Sequence, residues 1–315
     1  MTNPISPISP EQLKEILTNP DTTQHEIEEL IERDSNPNLN PFNSNLKVKS
    51  QAINSNIDDE WFNEVARKYR QQKYQEKINK GFSGVKIVSE GDSWFQFPFL
   101  LKDVIDWLSD DYAIWSLDAA GDTLENMTSA PNTNKIIDVI TNKNPDVFLI
   151  SGGGNDMFTN GLFNTLINEF DPDIDRLPEK YLNGAFDDFV KRIMDIFKKL
   201  FTDLLRIFPD LKIVCHGYDY IIPRESLSGG FVRNSLIQMG INDEELQIKI
   251  MRVVIDRLND AQIDLVSRFP NRVFHVDCRK AVGVGREDWF DEIHPKNDGF
   301  ESVADRFKTV INRII

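Results

Sequence analysis

Cysteine is scarce in this chain: two among 315 residues, Cys215 and Cys278. Neither stands at metal-ligand spacing from a second cysteine, and each falls at the end of a stretch that reads as a strand. Both are therefore expected to be buried thiols, with no disulfide framework and no zinc site. Histidine is nearly as rare, with only His25, His216, His275 and His294 available as a base or ligand. No run of 18 apolar residues occurs, and the first seven residues carry two prolines and no basic side chain. Neither a membrane-spanning helix nor a secretory leader is expected, which points to a cytoplasmic protein. Positive charge is also short. With 36 Lys and Arg against 51 Asp and Glu, the net charge is −15, a surface that repels phosphate backbones and anionic bilayers. Nucleic acid is not expected as a partner.

What is present is alternation. From residue 82 onward, apolar and β-branched runs at 85–89, 112–117, 146–151, 211–215 and 272–277 read as strands. Amphipathic stretches at 98–109, 132–142, 186–208, 243–269 and 297–314 read as helices. The run 146–151 is apolar on both faces, as in a strand covered from both sides. The expected fold class is α/β: a three-layer α/β/α sandwich with a parallel central sheet. Such sheets bind ligands beyond the carboxyl ends of their strands.

Four short stretches sit a few residues past those ends. The first is Gly91-Asp92-Ser93. A serine hydroxyl is a poor nucleophile unless a base lies within hydrogen-bond reach and donors await the oxyanion, and taken alone this tripeptide reads as an ordinary strand-to-helix turn with a capping serine. The second is Ala120-Gly121-Asp122-Thr123, in which Gly121 can present a backbone N–H. The third is Gly153-Gly154-Asn155-Asp156, in which Asn155 offers a side-chain N–H. A phosphate nest at Gly152–Gly154 would lack the lysine of its usual frame. The last is Asp291-Glu292-Ile293-His294-Pro295. Pro295 stiffens the turn, and Asp291 can hold Nδ1–H of His294 so that Nε2 faces a hydroxyl. Glu292 and Asp298 lie near, but one histidine among scattered acids is not a metal-ligand pattern. Asp92 and Asp156 read as loop braces, and His216 as structural.

In this order the four stretches resemble the signature blocks of the SGNH, or GDSL, hydrolase superfamily, over about residues 81–315. The resemblance implies a serine esterase or lipase that needs no cofactor and no metal. Ser93 would be the nucleophile, His294 the base and Asp291 the acid that orients it. The oxyanion hole would come from the N–H of Ser93, the N–H of Gly121 and the side chain of Asn155. Trp94 and the aromatic run to Phe99 depart from the smaller residues usual after the serine. The substrate would be a small-molecule or lipid ester. Two alternatives stay open: an acyltransferase with the same triad, and a signalling or defence effector whose hydrolase, a phospholipase included, answers to partners of the N-terminal region.

Residues 1–80 differ in texture. Ser9 followed by Pro10 starts one short helix, Thr23 and Glu26 form a capping box for a second, and a third spans about 58–80. The Asn-, Ser- and Pro-rich stretch 34–56 reads as a linker. The expected organisation is a helical extension or recruitment module at 1–80, with self-association or a protein partner in view, and a hydrolase domain at 81–315. On that reading a chain starting near residue 78 keeps its turnover. Segments 157–185 and 216–242 interrupt the alternation. They read either as lids over the active edge or as loops packed by their own aromatics. Trp94, Phe95, Phe97 and Phe99 read as core or as acyl contacts.

Overall fold

The computed structural model describes residues 8–34, 44–49, 57–174, 177–225 and 231–315. The chain begins with helices α1 (Pro10–Leu17) and α2 (Gln24–Leu30), followed by strands β1 (Ile31–Arg33) and β2 (Leu46–Val48) and helix α3 (Asp59–Asn79). Both capping boxes form: the Ser9 hydroxyl accepts from the N–H of Gln12, and that of Thr23 from the N–H of Glu26, with each third-position side chain returning the bond. The body then runs β3 (Lys86–Glu90), α4 (Val104–Leu108), β4 (Ala113–Ser116), α5 (Leu124–Met127), α6 (Ala130–Lys143), β5 (Val147–Ile150), α7 (Gly154–Phe158), α8 (Phe163–Leu166) and α9 (Gly184–Ile207). It ends with β6 (Lys212–Gly217), α10 (Phe231–Gln238), α11 (Glu244–Ser267), β7 (Val273–Asp277) and α12 (Asn297–Ile314).

Strands β3 to β7 form one parallel sheet in the order β4-β3-β5-β6-β7. Numbered within the sheet this is 2-1-3-4-5, the flavodoxin-like doubly wound order, whose direction reverses between β3 and β5. Every residue of β5 is buried, as expected of a strand covered on both faces. Helix α9 shows how the cover is made. Phe186, Phe189, Ile193, Phe197, Leu200, Phe201 and Leu204 recur at three- and four-residue steps and form one buried stripe. Helix α12 does the same with Phe300, Val303, Ala304, Phe307, Val310 and Ile311. The three-layer α/β architecture expected from the alternation is the one observed.

Two expectations change. The helix read over 98–109 is only α4, Val104–Leu108. Asp103 starts it late: its Oδ1 caps Ile105 and Asp106, while its Oδ2 accepts from the N–H of Phe97 and from Arg70. Phe99, at φ 63°, breaks any helix before it. The stretch read as a linker contains β2, which pairs antiparallel with β1; its residues 35–43 and 50–56 lie outside the described residues. Helices α1 and α2 and the hairpin rest on the body, since so little apolar surface cannot stand as a core of its own. Leu13, Leu17, Ile31 and Leu46 pack on Phe62 of α3 and on Phe99 and Leu100.

Segments 157–185 and 216–242 pack on each other where they are described; residues 175–176 and 226–230 are not. Phe158 lies 4.8 Å from Phe163 and 5.9 Å from Phe231, and the N–H of Phe170 bonds the carbonyl of Met239. Among the described residues no helix is long and apolar enough to cross a membrane.

Candidate active site

The sheet brings the chain's candidate residues to its carboxyl edge. Glu90, the last residue of β3, is in register with Ile150 of β5, so the turns after both strands meet. A side chain at Gly91 would put its Cβ 2.6 Å from the ring of Phe95 and 2.9 Å from Cβ of Ser151, so the close turn that presents Ser93 requires glycine there. Asp92 then braces this turn. Its Oδ1 accepts from the N–H of Trp94 at 3.0 Å and from the Ser151 hydroxyl at 2.8 Å, and its Oδ2 accepts from the Tyr218 hydroxyl.

Ser93, His294 and Asp291 lie in line. Oγ of Ser93 is 2.7 Å from Nε2 of His294, and Nδ1 of His294 is 2.7 Å from Oδ2 of Asp291. These partners assign the proton to Nδ1 and leave Nε2 to accept from the serine. The other oxygen of Asp291 accepts from the backbone N–H groups of Ile293 and His294, both at 2.8 Å. The indole N–H of Trp94 bonds the carbonyl of Ile293 at 3.0 Å, which ties the neighbour of Ser93 to the loop of His294. The ring of Phe97 meets the imidazole edge-on at 4.8 Å.

Asp291 has a further partner. The guanidinium of Arg33, the last residue of β1, bonds the same Oδ2 that receives His294. Burial by itself would push Asp291 up, but the charges of His294 and Arg33 outweigh it and hold the carboxyl well below the usual carboxylate range. Sequence reasoning missed Arg33 altogether. Set between Glu32 and Asp34, it reads as one member of a solvated charge run.

Asn155 stands in the first turn of α7, and its Nδ2 donates to the carbonyl of Asp122 at 2.7 Å. That uses one of two amide hydrogens and leaves the other to point elsewhere. Ser93 and Asn155 line one cavity together. Gly121 is on the neighbouring loop at φ 82°. That loop is held by Asn63 of α3, whose Oδ1 accepts from the N–H of Ala120 at 2.9 Å and whose Nδ2 donates back to the Ala120 carbonyl. Asp156 accepts from the N–H groups of Leu124 and Glu125, joining the two loops. Thr123 caps α5.

Behind Ser93 lies a buried polar chain that no motif announced. Nε2 of His216 meets the Ser151 hydroxyl at 2.8 Å, and the same hydroxyl bonds Asp92. The imidazole is stacked between Trp94 and Phe95, and burial lowers its pKa, which favours the neutral ring. Its one sequence signal is its place at the end of a strand, two residues before Tyr218. Glu292 is also committed. Its carboxylate accepts from the N–H groups of Arg224, Val232 and Arg233 while burial pushes it up to about 7. Among the described residues no three His, Cys, Asp or Glu side chains are grouped to hold a metal ion. Cys215 and Cys278 are buried free thiols, and burial pushes Cys215 up to about 12.

No family model and no curated protein matches this sequence. Solved structures do resemble its fold. A carbohydrate esterase family 3 from Talaromyces cellulolyticus superposes at a TM-score of 0.44 with 15% identity, over 73% of this chain and 98% of its own. A member of the lipolytic protein G-D-S-L family from Veillonella parvula does so at 0.46 with 10% identity, over 73% and 100%. A lipase from a goat rumen metagenome gives 0.45 with 13% identity, over 72% and 97%. Likenesses this distant concern the fold alone, and what the site can do follows from its own geometry.

Proposed function

We propose that this protein is a serine esterase of the SGNH type. The observation that carries the reading is the hydroxyl–imidazole–carboxylate line of Ser93, His294 and Asp291, with 2.7 Å at each step. Ser93 Oγ attacks the acyl carbonyl as Nε2 of His294 takes its proton. The charge that develops on the carbonyl oxygen is met by N–H groups of Ser93, Gly121 and Asn155. His294 returns the proton to the departing alcohol, and a water activated by the same imidazole releases the acid. On this reading Asn155→Ala lowers kcat by roughly 10²–10³-fold with KM little changed, the size of one preorganised donor. A loss below about threefold would leave Asn155 with a structural role.

The cavity beside the serine supports a small acyl group. It measures about 40 Å³ and is walled by Met157, Phe158, Met251, Val254, Ile255 and Leu258, with Ser93 and Asn155 on its polar side. That is room for about three water-sized groups, or an acyl chain of roughly two to four carbons. The alcohol part of the ester lies outside it. In a series of p-nitrophenyl esters, kcat/KM is expected to peak at the short end and to fall at least about tenfold by eight carbons. Leu258→Ala should move the peak toward longer chains. Equal rates on acetate and octanoate esters would remove the short-acyl assignment and leave the esterase reading intact.

A further inference from the structure

The cation behind the triad comes from outside the four sequence blocks. Arg33 closes β1, a strand held against β2 by the Arg33 to Leu46 register. Ile31 and Leu46 sit in the small core with Leu13, Leu17 and Phe62. Asp59 at the start of α3 accepts from the Ser44 hydroxyl and the N–H of Leu46. The position of the guanidinium is therefore set by how this unit docks on the body. Its charged end lies 6.0 Å from the ring centroids of both Phe97 and Phe290, and Phe97 is the ring that packs on His294.

We propose that Arg33 is a positioning residue for the esterase reaction: from the N-terminal hairpin it fixes the carboxylate of Asp291, and so makes the hairpin part of the catalytic apparatus. The proposal rests on the esterase reading. Each oxygen of Asp291 has two partners, the backbone N–H groups of Ile293 and His294 on one and His294 Nδ1 with Arg33 on the other. Without Arg33 the second oxygen is held by the imidazole alone, the very group it must aim. The side chains of Arg33 and Asp291 are 10% and 5% exposed, so their attraction escapes the screening that makes surface pairs weak. The triad is fully assembled with Arg33 in place, which argues for support of the reactive arrangement and against restraint of it. Glu292, next to Asp291 in the chain, has three backbone donors of its own.

The test compares wild type, Arg33→Met and Arg33→Lys in the full chain, on p-nitrophenyl acetate across pH, with fluorophosphonate labelling of Ser93 and melting temperature alongside. Methionine keeps an apolar stem between the two rings. It is expected to lower kcat by about 10–100-fold, the scale of a small misplacement of catalytic groups, with KM nearly unchanged. The acid limb of kcat/KM should move to higher pH, because the cation that opposes a second positive charge at the imidazole is gone. Lysine keeps the charge and loses the planar fork, so its kcat should fall between the two and its acid limb should stay. Wild-type kcat and pH profile in Arg33→Met would overturn the proposal and reduce the pair to an anchor of the hairpin. A rise in kcat would overturn it in the other direction. If Arg33→Met does not fold, wild-type kcat in Arg33→Lys overturns it instead. Absence of both labelling and turnover in wild type would remove the esterase reading itself, an outcome seen before any variant is made.

Discussion

Replacing Ser93 by alanine is expected to lower kcat by roughly 10⁶-fold, the loss seen when a triad nucleophile is removed, and to abolish labelling by a fluorophosphonate. The reagent reports the same activated oxygen that would attack an ester. That oxygen lies within hydrogen-bond reach of an imidazole whose far nitrogen is held by a carboxylate. Buried Ser89, Ser116 and Ser151 are bonded to Asp118, Asp118 and Asp92 in turn, with no base aimed at them for attack except the neutral His216 at Ser151. Mass spectrometry of the labelled protein should find the adduct on Ser93 and nowhere else. Labelling that persists in Ser93→Ala, or hydrolysis reduced less than about tenfold, would end the assignment of this residue as nucleophile.

A chain that starts at residue 81 is expected to be insoluble or inactive. The sequence alone suggested the opposite, since every motif lies beyond that point, but the structure gives α3 three duties in the body. Phe62, Val65, Ala66 and Tyr74 are buried. Arg70 is bonded to Asp103, to Asp106 and to the carbonyl of Phe95, two residues after Ser93. Asn63 holds the loop of Gly121. Deleting α3 strands the buried carboxylate of Asp103; leaving one partner of such a pair unmatched costs about 3–5 kcal/mol, a large part of a domain's net stability. A chain that starts at residue 57 keeps α3 and loses only the hairpin unit. It should fold and show the lowered kcat expected for loss of Arg33. Soluble yield, melting temperature and p-nitrophenyl acetate turnover of both shortened chains decide this. A soluble chain from residue 81 with turnover within a few-fold of the full protein would make α3 and everything before it dispensable.

The two shortened chains mark where local sequence stopped being informative. Helix α3 was readable as a helix, since Asp58 caps it and its apolar residues recur at helical spacing. Its attachment was not, because Asn63 and Arg70 are polar residues whose partners lie between 25 and 57 positions away. The hairpin was invisible for a related reason. Its strands are three residues each, too short for alternation to register, and they pair across a polar stretch that composition marks as linker. The helix read over 98–109 failed because Asp103 spends its side chain capping a later start and pairing with Arg70.

What the sequence determined by itself is whatever depends on periodicity and short spacing. The strand and helix alternation dictates a layered α/β sandwich, since each apolar face must be covered. The three-residue step from Asp291 to His294 lets one turn hold both groups, and the glycine before Asp92 permits the tight presentation of Ser93. What the tertiary structure alone decided is which distant groups meet at the sheet's edge. It brought Asn155 to the Asp122 carbonyl, threaded His216 and Ser151 behind Ser93, and placed Arg33 on Asp291. Those contacts join residues from 33 to 258 positions apart. No local propensity encodes them, because their energy arises only when docking removes water from both partners at once.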